Sequence, residues 1–191
     1  PMIANDQVRE TLYQRVAATI SQLPAALSEQ IADAKGLSAR FVRIQILGKQ
    51  RVLTLAEVQV MSAGKNVALK KVAKQSTTDF EGTASRAVDG NTDGVYANGS
   101  QTHTSNQNNP FWEVDLGQEY PIDSVVIWNR TENEGVLKRM DGFTLTVRNG
   151  TRKMVFESAG HKGPNPSAAI YVGGANPRVQ IKRSAVNALS Y

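Results

Sequence analysis

The feature that most constrains this chain is a change of hydrophobic period at residue 39. Up to residue 35 apolar residues recur about every fourth position: Val8, Leu12, Val16, Ile20 and Leu23, then Leu27, Ile31 and Ala34 after Pro24. That is the stripe of an amphipathic helix pair, with Asn5 or Asp6 able to cap the first helix and Gly36 to stop the second. From Ala39 onward the period is two, the alternation of half-buried strands. Phe41–Ile46 and Val52–Val60 carry it first, joined by a turn around Gly48-Lys49, and further strands are expected at 67–73, 111–116, 122–129, 142–148, 153–157, 168–172 and 178–182. Many short strands separated by Gly, Asn, Pro, Asp and Ser predict an all-β sandwich, residues 37–191, behind a helical segment or linker, residues 1–36. The segment 89–110 is too long for a simple connection, and loops of that length are usually functional.

Composition narrows the chemistry. The 191 residues suffice for one sandwich and a short appendage. No apolar run reaches the roughly 18 residues of a membrane-spanning helix. The absence of cysteine excludes disulfides and thiolate chemistry. A net charge of +5 suggests nucleic acid, but its distribution argues against it. Residues 79–134 hold ten carboxylates and two arginines, a local charge of −8, so the rest carries +13 in scattered positions. An acidic, loop-rich centre suits a cation. Pro1-Met2 has neither the basic nor the apolar region of a secretory signal, and proline is not a natural start, so the chain is expected to be part of a larger multidomain polypeptide.

Calcium takes six to eight oxygens from carboxylates, carbonyls and hydroxyls. Asp89-Gly90-Asn91 places a carboxylate beside a glycine that lets the backbone turn inward, and Ser100 can return an oxygen from the far end of the loop. Saccharides offer vicinal hydroxyls, which arginine reads with a rigid fork of donors and histidine as donor or acceptor. Only His103 and His161 are present, without zinc spacing, nucleophile elbow or phosphate loop, so catalysis is not expected.

Three blocks stand out: Ala84-Ser85-Arg86-Ala87-Val88-Asp89-Gly90-Asn91, Ser100-Gln101-Thr102-His103-Thr104, and Pro110-Phe111-Trp112-Glu113-Val114-Asp115-Leu116-Gly117. Val125–Arg130, Arg139–Phe143 and Leu53–Val60 add three more. Together these blocks resemble the F-type lectins, fucose-binding members of the discoidin (coagulation-factor type C) superfamily. The resemblance implies a discoidin-like jelly-roll sandwich and a non-enzymatic, calcium-containing carbohydrate-binding module. The implied sugar triad is His103, Arg130 and Arg139, with Glu132 bracing Arg130. Family spacing puts the third basic residue at Leu137, so Lys138 and Arg139 both remain candidates, and Met140-Asp141-Gly142-Phe143 favours Arg139. The implied calcium ligands are the carbonyls of Arg86, Asn91 and Ala56, the side chains of Asp89 and Glu57, and an oxygen of Ser100.

Two departures are visible. The Glu57 strand closes the family fold but precedes the core here, which fits a permuted chain or the end of a preceding tandem copy. The family's adjacent cysteines between the two arginines are replaced by Glu134-Gly135-Val136-Leu137, which predicts a more flexible loop with Val136 and Leu137 as apolar contacts. Trp112 and Trp128 are expected in the core. The expected ligand is a glycan, with a fucose-like sugar the one the resemblance suggests, in an extracellular, cell-surface or periplasmic setting. The rival readings are a protein- or membrane-binding discoidin module, against which the polar tips Asn106–Asn109 and Asn133-Glu134 argue, and a structural domain whose sugar site has decayed.

Overall fold

The structure is a computed structural model that describes residues 37–172. The helices expected over 5–35 and the strand expected at 178–182 lie outside the described residues.

Two antiparallel sheets form a sandwich. One has the order β4-β5-β1-β7-β8, where β1 is Leu37–Ile46, β4 Val72–Gln75, β5 Phe111–Ile122, β7 Phe143–Arg148 and β8 Met154–His161. The other has the order β3-β2-β6-β9, where β2 is Glu57–Ser62, β3 Lys65–Asn66, β6 Ser124–Trp128 and β9 Ser167–Tyr171. β1 lies in the centre, paired with β5 on one side and β7 on the other. Its alternation puts Val42, Ile44 and Ile46 in the core against Trp112, Val114, Leu145 and Val147. From the second sheet Val58, Val60, Val125 and Ile127 complete that core. β2, written before the core in sequence, pairs with β6 from Glu57↔Trp128 to Met61↔Ser124, so the permuted order builds one continuous sheet within one chain.

The expected strands at 67–73 and 52–60 are each shortened. Asn66 Oδ1 accepts from both Val60 and Ala68 amides, and Lys70 turns left-handed at φ 59°, so pairing starts only at Val72. Leu53–Ala56 is fully buried but belongs to neither sheet: Leu53 and Leu55 bond to the loop residues Thr104 and Thr102, and only the Ala56 amide reaches β6, at the Trp128 carbonyl. Trp112 is a core residue as expected, and its Nε1 donates to the Ala84 carbonyl at 2.9 Å. Trp128 is only half-buried, since it ends β6 at the rim.

The outer face of the larger sheet carries a buried carboxylate. Glu113 is 2 % exposed and meets Arg43 at 3.0 Å, Arg152 at 3.1 Å and Lys74 at 3.3 Å. Burial raises its pKa, but the hydrogen bonds and charges of Arg152, Arg43 and Lys74 outweigh that, so it lies below the ordinary carboxylate range. Removing the carboxylate would leave three cations crowded together. Because two of them are half in water, Glu113→Ala is expected to cost about 2 kcal/mol, below the full cost of breaking a buried pair. Urea unfolding of wild type and variant checks this, and an unchanged midpoint would contradict it.

Candidate functional site

The site is assembled at one end of the sandwich from three loops braced by one extended segment. Residues 51–55 run antiparallel to 102–107. Arg51 and Gln107 exchange both backbone hydrogen bonds, at 2.8 and 3.0 Å. The Thr104 amide donates to the Leu53 carbonyl and the Thr102 amide to that of Leu55, while Thr104 and Thr102 hydroxyls accept from the Leu53 and Leu55 amides. His103 is therefore clamped on both sides. This accounts for the complete burial of a segment as polar as Ser100–Thr104, whose hydroxyls take the place of ladder partners.

On its other side His103 meets residues 79–82. The His103 amide donates to the Gly82 carbonyl at 2.8 Å and the Asp79 amide to the His103 carbonyl at 2.9 Å. A Cβ on Gly82 would stand 2.5 Å from the His103 nitrogen, so only glycine fits this approach. Phe80 and Glu81 are both left-handed, with φ 48° and 56°, a costly pair for residues with side chains. The turn they make leaves Phe80 64 % exposed with its ring edge-on to His103 at 4.9 Å.

The His103 ring is oriented by its Nδ1, 2.8 Å from the Thr104 carbonyl. A carbonyl can only accept, so Nδ1 carries the proton. Burial lowers the His103 pKa, the Thr104 bond opposes that, and the positive charges of Arg130 and Arg139 lower it further. The ring is thus neutral near pH 7 and Nε2 is left as an acceptor. Arg130 is held by Glu132, with Nε at 2.7 Å and Nη2 at 2.6 Å from the same carboxylate oxygen. The other Glu132 oxygen accepts from the Tyr96 amide at 2.5 Å, and the Arg130 guanidinium lies 4.4 Å from the centre of the Tyr96 ring. Tyr96 in turn sits edge-on to His103 and donates its hydroxyl to the Phe80 carbonyl at 2.7 Å.

Of the two candidates for the third basic residue, Arg139 acts electrostatically on His103. Lys138 is instead drawn to Glu134 at 2.6 Å, one helical turn back. The loop between the arginines has local structure of its own. It contains a one-turn helix, α1, Glu134–Leu137, capped by Asn133 Oδ1 on the Val136 amide. Asn129 fixes its end by donating to the Leu137 carbonyl at 3.0 Å and to that of Pro164 at 3.1 Å. Val136 is buried beneath it rather than offered as a contact surface. Phe80, Tyr96 and Arg51 were not singled out from the sequence, because nothing in their local pattern marks them.

The residues proposed for calcium are brought together in part. Glu57, at the start of β2, is fully buried; its Oε2 accepts only a long 3.3 Å bond from the Gly90 amide, and its Oε1 has no partner. Burial, with a smaller contribution from the charge of Asp89, pushes its pKa to about 7. Among the described residues no cluster of three His, Cys, Asp or Glu side chains exists, so an ion here would draw on carbonyls and hydroxyls. An orphaned buried carboxylate oxygen beside a second carboxylate is the chemistry a hard cation satisfies. Ser100, also buried, has its hydroxyl on the Asp93 carbonyl at 2.5 Å and accepts from Gln101 Nε2 at 2.6 Å.

Comparison with known proteins bears on this arrangement. Residues 86–178 match the family described as NedA-like, galactose-binding domain. A fucose binding module of Streptococcus pneumoniae superposes with a TM-score of 0.54 at 32 % identity, covering 58 % of this chain and 80 % of that one. The chain belongs to the F-type lectins of the discoidin-like superfamily. The lectin domain of lectinolysin, solved with Lewis B antigen, is similar to this F-type lectin domain at 28 % identity and TM-score 0.55, over 61 % of this chain and 82 % of that one. Fucolectin-6 of Anguilla japonica is 42 % identical over 109 residues, 51 % of this chain and 58 % of its own length. The F-type lectin chain thus spans about half the length of the Anguilla fucolectins it matches. Among the described residues no helix is long and apolar enough to cross a membrane.

Proposed function

We propose that this domain binds fucose-containing glycans, without turnover, at the His103–Arg130–Arg139 cluster, and that a calcium ion stabilises the adjoining loop. The observation that carries the reading is the His103 ring, locked by Thr104 and kept neutral chiefly by burial, with Arg130 next to it across the Tyr96 ring. It supplies one acceptor beside two forked donors, the complement of neighbouring sugar hydroxyls. The exposed face of Phe80, with Tyr96 next to it, offers an apolar wall that suits the methyl-bearing edge of a 6-deoxy sugar. The ligands of the similar modules, fucose and Lewis B antigen, belong to the same class.

Calcium would be held by Glu57, Asp89, Ser100 and the carbonyls of Arg86, Asn91 and Ala56. It would supply the counter-charge that buried Glu57 lacks. Fucosylated glycans are displayed on cell surfaces and secreted proteins, so the site of action is proposed to lie outside the cytoplasm. A single weak sugar site gains useful avidity from repetition, which suits a module within a larger polypeptide.

A glycan array run in millimolar calcium and again in chelator tests the reading. Signals confined to fucosylated structures and weakened by chelator are expected. Binding to no fucosylated glycan would favour the decayed-site alternative and end this proposal.

A further inference from the structure

Arg51 touches none of the groups assigned to the sugar, yet it reaches the loop that carries Arg139. Its Nη2 donates to the Arg139 carbonyl at 3.0 Å and to the Asp141 carbonyl at 2.9 Å. Its own backbone is pinned to Gln107 by the paired bonds at 2.8 and 3.0 Å. The clamp therefore starts from the strand-like segment that fixes His103 and ends on the peptide of Arg139. The rest of that loop is anchored by the buried Met140 side chain and by local hydrogen bonds. The Asp141 amide returns to the Lys138 carbonyl at 3.0 Å, the Gly142 amide reaches His161 at 2.8 Å, and Asp141 Oδ1 accepts from the Gly163 amide at 2.8 Å. Without Arg51, the described hydrogen bonds tie residues 137–142 to their own turn, to Asn129 at the end of β6 and to the 161–163 hairpin end, and none of them reaches the 102–107 segment that carries His103.

We propose that Arg51 is a positioning residue that sets the distance between Arg139 and His103 and so tunes sugar affinity through Arg139 alone. This rests on the sugar-site reading above for its functional consequence, but not for its structural one. A loop whose backbone is already fixed has less freedom to lose when ligand arrives, and pre-organisation of this kind raises affinity without adding a contact to the ligand. The same segment continues to Ala56, whose amide donates to the Trp128 carbonyl at 2.9 Å, two residues before Arg130. One seven-residue stretch, 51–57, thus braces each part of the site, and Arg51 supplies its side-chain link to Arg139.

The test is a double-mutant cycle with Arg51→Met, which keeps the aliphatic stem but removes the donors, and Arg139→Ala. Titration with methyl α-L-fucoside should show Arg51→Met weakening binding about fivefold in the wild-type background and leaving it unchanged in the Arg139→Ala background, since coupled residues are not additive. A full fivefold loss persisting without Arg139, or no loss at all, would overturn the proposal. Amide hydrogen exchange supplies a readout independent of sugar. The Asp141 and Gly142 amides should exchange at least several-fold faster in Arg51→Met, with the Val42 and Val147 core amides unchanged. Faster exchange in a protein that binds no fucoside would uphold the clamp and refute the sugar reading, whereas unchanged exchange refutes the clamp whatever the binding result.

Discussion

Arg130→Ala is expected to weaken fucoside binding by tenfold to a hundredfold, the largest loss of any substitution in the site. A hydrogen bond from a charged donor is worth about 1.5–3 kcal/mol, and each 1.4 kcal/mol is tenfold in affinity. Arg130 also has a second task that His103 and Arg139 lack. Its guanidinium pairs with Glu132 and covers the Tyr96 ring, while Glu132 holds the Tyr96 amide, so its loss releases the apolar wall as well as the donor. Lys138→Ala is the control, because that side chain is turned away to Glu134 and should be nearly silent. Isothermal titration with methyl α-L-fucoside measures both. Equal affinities for wild type and Arg130→Ala would place the sugar elsewhere.

In chelator, the melting temperature is expected to fall as pH rises from about 5 to about 8, and in millimolar calcium that fall should disappear. The cause is Glu57, whose pKa moves from an ordinary value of 4.5 to about 7 on folding. A carboxyl with a raised folded pKa contributes stability that is present below its unfolded pKa and is lost as pH climbs through the folded one. At 1.36 kcal/mol per pKa unit, and allowing for screening, the loss is about 2 kcal/mol, or roughly 5 °C in a domain of this size. A bound cation reverses the preference by favouring the carboxylate. His103 works in the other direction: its pKa is lowered on folding, so its contribution to stability rises as pH passes the ordinary histidine range. Glu57→Gln separates the two, since it should abolish both the chelator-dependent fall and the response to calcium. Identical pH profiles with calcium and with chelator would remove the ion from this site.

The sequence made the sandwich legible wherever burial alternates cleanly. β1, β5 and β7 read true because Val42, Ile44, Trp112, Val114, Leu145 and Val147 all face one core. It misled where local hydrogen bonding competes with the ladder, as at Asn66 and Lys70, which delay β4 to Val72. His103, Arg130 and Glu132 were singled out through their motif, and the fold brings them to one place around Tyr96. Lys138 and Arg139 could not be separated in the sequence, because Lys138 meets Glu134 only once α1 has formed, and that helix depends on a cap at Asn133 and a distant amide at Asn129. Phe80 and Tyr96 left no local signal, since their role comes from a left-handed turn and from rings that meet only after the loops are folded. The burial of Ser100–Thr104 has no apolar signature in the sequence, because its hydroxyls substitute for apolar packing with specific bonds to 53 and 55.

The central place of β1 also governs how the domain reaches its native state. Its side chains meet β5 across a separation of 70 residues at Arg43 and Glu113, and β7 comes later still. Loops of that length must close before the middle strand of the larger sheet gains either neighbour, which places this topology among the slower two-state folders, in milliseconds to seconds. During synthesis Phe41–Ile46 leaves the ribosome as an apolar strand with both edges bare until residues 111–148 follow. Arg40 and Arg43, which later cap Phe41, Phe111 and the buried Glu113, give that nascent strand the positive charge that discourages pairing with copies of itself.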